Sequence, residues 1–154
     1  MKHDVLIIGA GISGVSIAYN LAKKGQKNIH VLDKGYFTNG STGRCGAGVR
    51  TQWATEMNAS LALKSIEFFE TAKEELAYPG DLEFKQEGYL ILATTEGEHH
   101  QFTKNVALQN ALGIPSVQLT KEQALAIVPH LNKQAFYSAT YCKKDGHLNP
   151  FKMT

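Results

Sequence analysis

The chain has 154 residues, enough for one ordinary domain, and at 43% hydrophobic and 19% charged it has the composition to bury a core rather than stay disordered. Its net charge is +2 with the basic residues scattered, which argues against a nucleic-acid partner, since that wants a basic stripe. The two cysteines, Cys45 and Cys142, belong to no CxxC pair or Cys/His cluster. That argues against a metal site and a disulfide scaffold and points to a reducing, cytoplasmic compartment.

Met1–His3 leads into an apolar run that breaks at Gly9, too short for a signal peptide or a membrane span. Val5–Ile8 is continuously apolar, which predicts a parallel strand covered on both faces. Ser13 to Lys24 reads as a helix, with Val15, Ile17, Ala18, Leu21 and Ala22 apolar and Lys23, Lys24 and Gly25 as its end signal. Asn28 to Lys34 is the second strand, closing a βαβ unit.

Gly35 to Gly48 holds five glycines and reads as loop. A long helix is predicted over 54–77, with Met57, Leu61, Phe68, Ala72 and Leu76 as its buried face and Pro79-Gly80 as its stop. "LEFKQEGYLILATT" predicts two strands joined near Glu87-Gly88, and 95–112 a helix stopped by Gly113. Thr120 is the expected N-cap of a short helix ending near Pro129. "AFYSATYC" is a strand, and "KKDGHLNPFKMT" a turn into a further element. The fold class is therefore α/β: a Rossmann-like βαβ segment over about 1–78, part of a second α+β segment over 79–142, and a return toward the first over 143–154.

Gly9, Gly11 and Gly14 form G-x-G-x-x-G between a strand and a helix, and the second strand ends in Asp33. The first glycine permits the turn, the second lets a pyrophosphate approach the backbone, and the third lets helix and strand pack closely. The helix N-terminus offers unpaired N–H groups to the phosphates. Asp33 suits ribose hydroxyls and disfavours a 2′-phosphate. The motif itself leaves NAD and FAD both open.

The next stretch, "STGRCGAGVRTQW" over 41–53, is not a further βα unit. A planar group with a phosphate tail explains a loop so rich in glycine, with Ser41, Thr42 and Arg44 beside it. Together with "DVLIIGAGISGVSIAYNLAKKG", "VLDKG", "GYLILAT", "LTKEQALAIVPHLN" and "DGHLNP", it resembles the FAD-dependent amine and amino-acid oxidoreductases. That family includes D-amino acid oxidase, glycine oxidase and sarcosine oxidase; the nearest likeness is to the β subunits of sarcosine oxidase and L-proline dehydrogenase.

The resemblance implies an incomplete flavoprotein of glutathione-reductase type, with FAD as cofactor and 79–142 as part of a substrate domain. It implies oxidation of the C–N bond of a small secondary amine or amino acid, such as sarcosine, proline or a glycine-like molecule, by hydride transfer to flavin. Family members are more than twice as long, so a truncated gene, a proteolytic fragment and a partner of a separate second half all remain open. The implied cofactor contacts are Gly9, Gly11, Ile12, Ser13 and Gly14, then Asp33 and Lys34, then Ser41, Thr42, Arg44, Cys45 and Gly46.

Arg50 matches a position that binds a substrate carboxylate in the family, and its planar fork suits that contact. A surface or phosphate-side arginine is the equal alternative. Cys45 is expected to be a small residue packed near the ring. None of His3, His30, His99, His100, His130 and His147 stands where a base is expected, and His99-His100 reads as an exposed helix pair. Tyr89, Tyr137 and Tyr141 read as sheet core.

Overall fold

A computed structural model describes residues 4–154; His3 and the start of the leading segment lie outside the described residues. The chain divides into two compact units, residues 1–47 with 148–154, and residues 48–147.

The first unit opens with β1 (Val5–Ile8), α1 (Ile12–Lys23) and β2 (Ile29–Leu32). The two strands pair in parallel, Val5 opposite Ile29 and Ile8 opposite Leu32. Asn28 and Gly25 adopt positive φ at the turn back from α1. The two-sided cover expected of β1 is not present: its residues alternate half-buried and exposed, and Leu6 and Ile8 are 52% and 85% exposed. α1 packs on β1 and β2, and Leu32 shares the exposure of Leu6 and Ile8. After β2 the loop contains one 3₁₀ turn, Thr42–Arg44. The unit closes with α5 (Pro150–Met153), whose N-cap Asn149 accepts hydrogen bonds from the Phe151 and Lys152 backbone amides.

The second unit begins with β3 (Gly48–Val49) and α2 (Glu56–Glu75), and continues with β4 (Tyr89–Ala93), α3 (Glu96–Ala111), β5 (Ser116–Leu119), α4 (Lys121–Ile127), β6 (Ser138–Cys142) and β7 (Gly146–His147). An antiparallel sheet has the order β4-β6-β5, and β3 pairs antiparallel with β7. α3 and α4 both start with capping boxes, Thr95 with Glu98 and Thr120 with Gln123, each satisfying two amide donors that a helix start otherwise leaves bare.

Four expectations change here. The buried residues of α2 are Ala59, Ile66 and Ala72, while Met57 is 73% exposed and Leu61 is also exposed. The helix carries two apolar stripes, and the one through Ala59 and Leu63 packs against Ile114, Leu112 and Cys142. The hairpin near Glu87-Gly88 does not form. The Gly88 amide donates to the Asp145 carbonyl (2.8 Å), Glu83 has φ 56°, and Lys85 makes only an isolated bridge to His147. β5 is an additional strand. The three tyrosines are not core: Tyr89 and Tyr137 are exposed and Tyr141 is half-buried. They stand near strand ends, where Tyr141 Oη donates to the Glu87 carbonyl (3.0 Å).

Candidate functional site

The glycines of the first turn are each required by a measurable constraint. Gly9 has φ 111°, a conformation L side chains rarely adopt, and space for a Cβ there is open. A Cβ on Gly14 would lie 1.9 Å from the Gly9 carbonyl oxygen and 3.3 Å from Ile7 Cγ2, so only glycine lets α1 sit this close to β1. A Cβ on Gly11 would lie 2.9 Å from Thr42 Oγ1. That hydroxyl oxygen accepts from the Ile12 amide (3.1 Å). Gly11 has no side chain to cap the helix, and Thr42, 30 positions after the Ile12 donor, caps it instead.

Asp33 follows β2 and ties the two turns together. Its Oδ2 accepts from the Ala10 amide (2.8 Å) and its Oδ1 from the Gly35 amide (2.9 Å). The Ala10 amide, then the Gly35 amide, hold its pKa below the ordinary aspartate value, with Lys34 adding a smaller effect in the same direction. Asp33 is exposed. Each of its oxygens keeps acceptor capacity after one bond.

Ile8, Gly9, Asp33, Lys34, Asn39, Gly40 and Arg44 line a cavity of about 330 Å³. The structure thus brings four of the sequence-derived residues, Gly9, Asp33, Lys34 and Arg44, around one hollow, with Gly11, Ile12 and Thr42 at the adjoining helix start. Ser13 and Gly14 lie in the first turn of α1, Ser13 exposed and Gly14 buried. Ser41, Cys45 and Gly46 are exposed and do not line the cavity, and Cys45 Sγ donates to the Thr42 carbonyl (3.1 Å).

Sequence reasoning missed Thr38, Asn39 and Gly40. Thr38 is buried at φ 66°, with its amide donating to the Ala10 carbonyl and its own carbonyl accepting from Gly43. The Asn39-Gly40 dipeptide is a turn signal that pointed to this bend. A helix start, two cations and a carboxylate around one concavity fit a dinucleotide, with the cations and amides suited to the pyrophosphate and Asp33 to the ribose hydroxyls.

Arg50 belongs to the second unit. It is half-buried, and its guanidinium carbon lies 4.3 Å from the centroid of the Trp53 ring. The histidine pair is split. His100 is exposed, whereas His99 is half-buried: its Nδ1 lies 2.9 Å from both Ser138 Oγ and Gln118 Nε2, and its ring leans on Tyr137. Helical spacing alone sees two neighbours; the sheet separates them. Among the described residues, no group of three or more metal-ligating side chains converges, and no helix is long and apolar enough to cross a membrane.

The profile of the family described as FAD dependent oxidoreductase matches residues 4–154. Sarcosine oxidase subunit beta of Arthrobacter sp is 34% identical over 132 residues, 85% of this chain and 32% of that protein. The mitochondrial dimethylglycine dehydrogenase of Rattus norvegicus is 31% identical over 154 residues, 99% of this chain and 18% of that protein. The crystal structure of L-proline dehydrogenase from P.horikoshii superposes with a TM-score of 0.87 at 37% identity, covering 98% of this chain and 39% of that one. The chain thus spans about a third or less of the curated relatives described here.

Proposed function

The chain belongs to the FAD dependent oxidoreductase family, and on that premise we propose that it forms the dinucleotide-binding part of an enzyme oxidising the C–N bond of a small secondary amine or amino acid. The observation that carries the cofactor reading is the hollow at the start of α1, where Gly9, Asp33, Lys34 and Arg44 surround open space. The chemistry FAD supplies when bound is acceptance of a hydride equivalent from the carbon beside the amine. In this reading Lys34 and Arg44 neutralise the pyrophosphate, the Ser13 amide at the start of α1 faces it, and Asp33 binds ribose hydroxyls. Ser41, Cys45 and Gly46 form the loop toward the ring.

Arg50 is the anchor for a substrate carboxylate, because a planar guanidinium presents paired N–H groups to two oxygens. The substrate is sarcosine-, proline- or glycine-like, in keeping with the relatives named above. The two free cysteines suit a reducing compartment, and we assign the protein to the cytoplasm. The test is titration of the full chain with FAD and, separately, with NADH. Quenching of flavin fluorescence at micromolar concentration supports the reading. NADH binding without flavin uptake overturns it in favour of a nicotinamide enzyme.

A second reading concerns partners. The open apolar face of Leu6, Ile8 and Leu32 favours cover by further polypeptide, either a C-terminal half or a second subunit. Without that cover the chain acts as a non-catalytic FAD-binding subunit. Co-expression with a polypeptide matching the remaining two thirds of the relatives, followed by an amine-oxidation assay, separates an active split enzyme from a bare binding module.

A further inference from the structure

Asp145 is fully buried, at 0% exposed, and nothing in the proposed reaction uses it. Its Oδ1 accepts from the Thr51 backbone amide (2.8 Å) and the Thr51 hydroxyl (2.5 Å), and its Oδ2 accepts from Gln52 Nε2 (3.0 Å). The same Gln52 amide group donates to the Tyr89 carbonyl (2.8 Å). On its own backbone, Asp145 donates to the Cys142 carbonyl (3.2 Å) and accepts from the Gly88 amide (2.8 Å). The Asp145 carboxylate therefore ties residues 51–52 to the turn after β6, and Gln52 and the Asp145 carbonyl tie both to the start of β4.

Arg50 and Trp53 flank the pinned pair. Trp53 Nε1 donates to the Arg50 carbonyl (3.0 Å), the Trp53 amide donates to the Thr51 carbonyl (2.7 Å), and Gln109 Nε2 donates to the Trp53 carbonyl (3.0 Å). The Arg50 guanidinium lies over the indole. A buried carboxylate is costly to desolvate, and an apolar residue of similar volume often serves stability as well or better. What the charge adds is strong, directional acceptance.

We propose that Asp145 is a positioning residue: by fixing Thr51 and Gln52 it holds the Arg50 guanidinium over the Trp53 ring, leaving its N–H groups for contact with a carboxylate. The carboxylate part rests on the reading of Arg50 given above; the positioning does not. Stacking uses the face of the guanidinium and bidentate bonding uses its edge, so the two are compatible, and a fixed backbone on both sides of the pair keeps that edge in one place.

Trp53 is the sole tryptophan of the chain, so the intrinsic fluorescence of the full chain reads this pair directly. Asp145→Ala, Asp145→Asn and Thr51→Val each remove acceptors or a donor from the clamp, Thr51→Ser restores the hydroxyl, and Arg50→Leu gives the signature of an unstacked indole. Asp145→Asn sets an amide NH₂ against Gln52 Nε2, and a flip of Gln52 to accept it forfeits the bond to Tyr89.

The expected result for Asp145→Asn and Thr51→Val is about a tenfold larger population of unstacked indole, the ratio set by losing one hydrogen bond to a charged group. It is read as an emission shift toward that of Arg50→Leu and faster acrylamide quenching, with far-ultraviolet circular dichroism retained and Thr51→Ser like the wild type. Folded Asp145→Asn and Thr51→Val proteins with unchanged Trp53 emission and quenching overturn the proposal. So does unfolding of both, which makes Asp145 a support of the whole unit rather than of this pair. Asp145→Ala is read the same way where it folds. Acetate serves as the carboxylate probe. If it leaves wild-type Trp53 emission unchanged while the clamp variants behave as expected, the positioning holds and the anchor reading of Arg50 falls.

Discussion

The segment Ser41–Trp53 is divided between the two units after Ala47, and its halves are built in opposite ways. In the first half Ser41, Arg44, Cys45 and Gly46 are exposed, and the Thr42 hydroxyl caps α1. In the second half Thr51 and Gln52 are buried and end on a fully buried carboxylate. The aspartates that serve the two units make the same contrast. Asp33 is exposed, accepts two amides and retains acceptor capacity; Asp145 is buried and binds the neighbouring loop. A glycine-rich loop is therefore not uniformly a ligand loop. The polar groups left accessible are those available to a ligand, and the buried ones keep the next residues still.

The largest effect is expected on the buried side. Asp145→Ala strands the Thr51 amide and the Gln52 side chain without their acceptor and is expected to cost about 3 kcal/mol. Urea unfolding followed by Trp53 fluorescence measures it, and a loss under about 1 kcal/mol would erase the contrast between the two aspartates. Next comes Gly14→Ala. Its Cβ meets the Gly9 carbonyl at 1.9 Å, a backbone atom that yields only if α1 moves. Overpacking of this kind costs about 2 kcal/mol and is expected to weaken FAD binding at least about tenfold in a flavin-fluorescence titration. Retained affinity in a folded variant would mean that helix position does not govern the cradle.

These expectations draw on different parts of the sequence. Gly9, Gly11 and Gly14 were legible because strand, turn and helix are local; the needs of Gly9 and Gly14 are met within a few residues, while the contact of Gly11 with Thr42 is remote. The buried clamp was not legible, because Thr51 and Asp145 are 94 positions apart and only the antiparallel return of β6 and β7 brings them together. From its residues "DGHLNP" reads only as part of a turn, and anything more came from the resemblance. α2 misled because helical periodicity finds both of its apolar stripes equally well, while packing against Ile114 and Cys142 chooses one. β5 was missed because "SVQL" is short and half polar, and Gly88 suggested a hairpin because its amide partner, the Asp145 carbonyl, is also remote. His99 shows the same limit: its hydroxyl partner Ser138 is 39 positions away.

A smaller effect is expected at the open half of the loop. Thr42→Val keeps the shape of the side chain and removes the acceptor for the Ile12 amide. Loss of an N-cap bond costs about 1 kcal/mol, measurable as a lower thermal midpoint, whereas Thr42→Ser is expected to match the wild type. A Thr42→Val midpoint equal to that of the wild type would show that solvent caps α1 as well as the hydroxyl does.

The smallest effect belongs to Asp33, because its carboxylate is exposed and solvent screens what it gains. Its folded pKa lies below the ordinary value of 3.8, chiefly through the Ala10 amide and then the Gly35 amide. A depressed carboxylate contributes stability that is fully present above the unfolded value and is lost as pH falls through the folded one. Asp33→Asn does not titrate, and its NH₂ opposes one of the two amides. The thermal midpoint of the wild type is therefore expected to exceed that of Asp33→Asn by a constant margin from neutral pH down to the ordinary carboxylate range. The margin then narrows on further acidification. A margin that widens with acid would mean that the Ala10 and Gly35 amides favour the protonated acid, and the contrast with Asp145 would lose its exposed member.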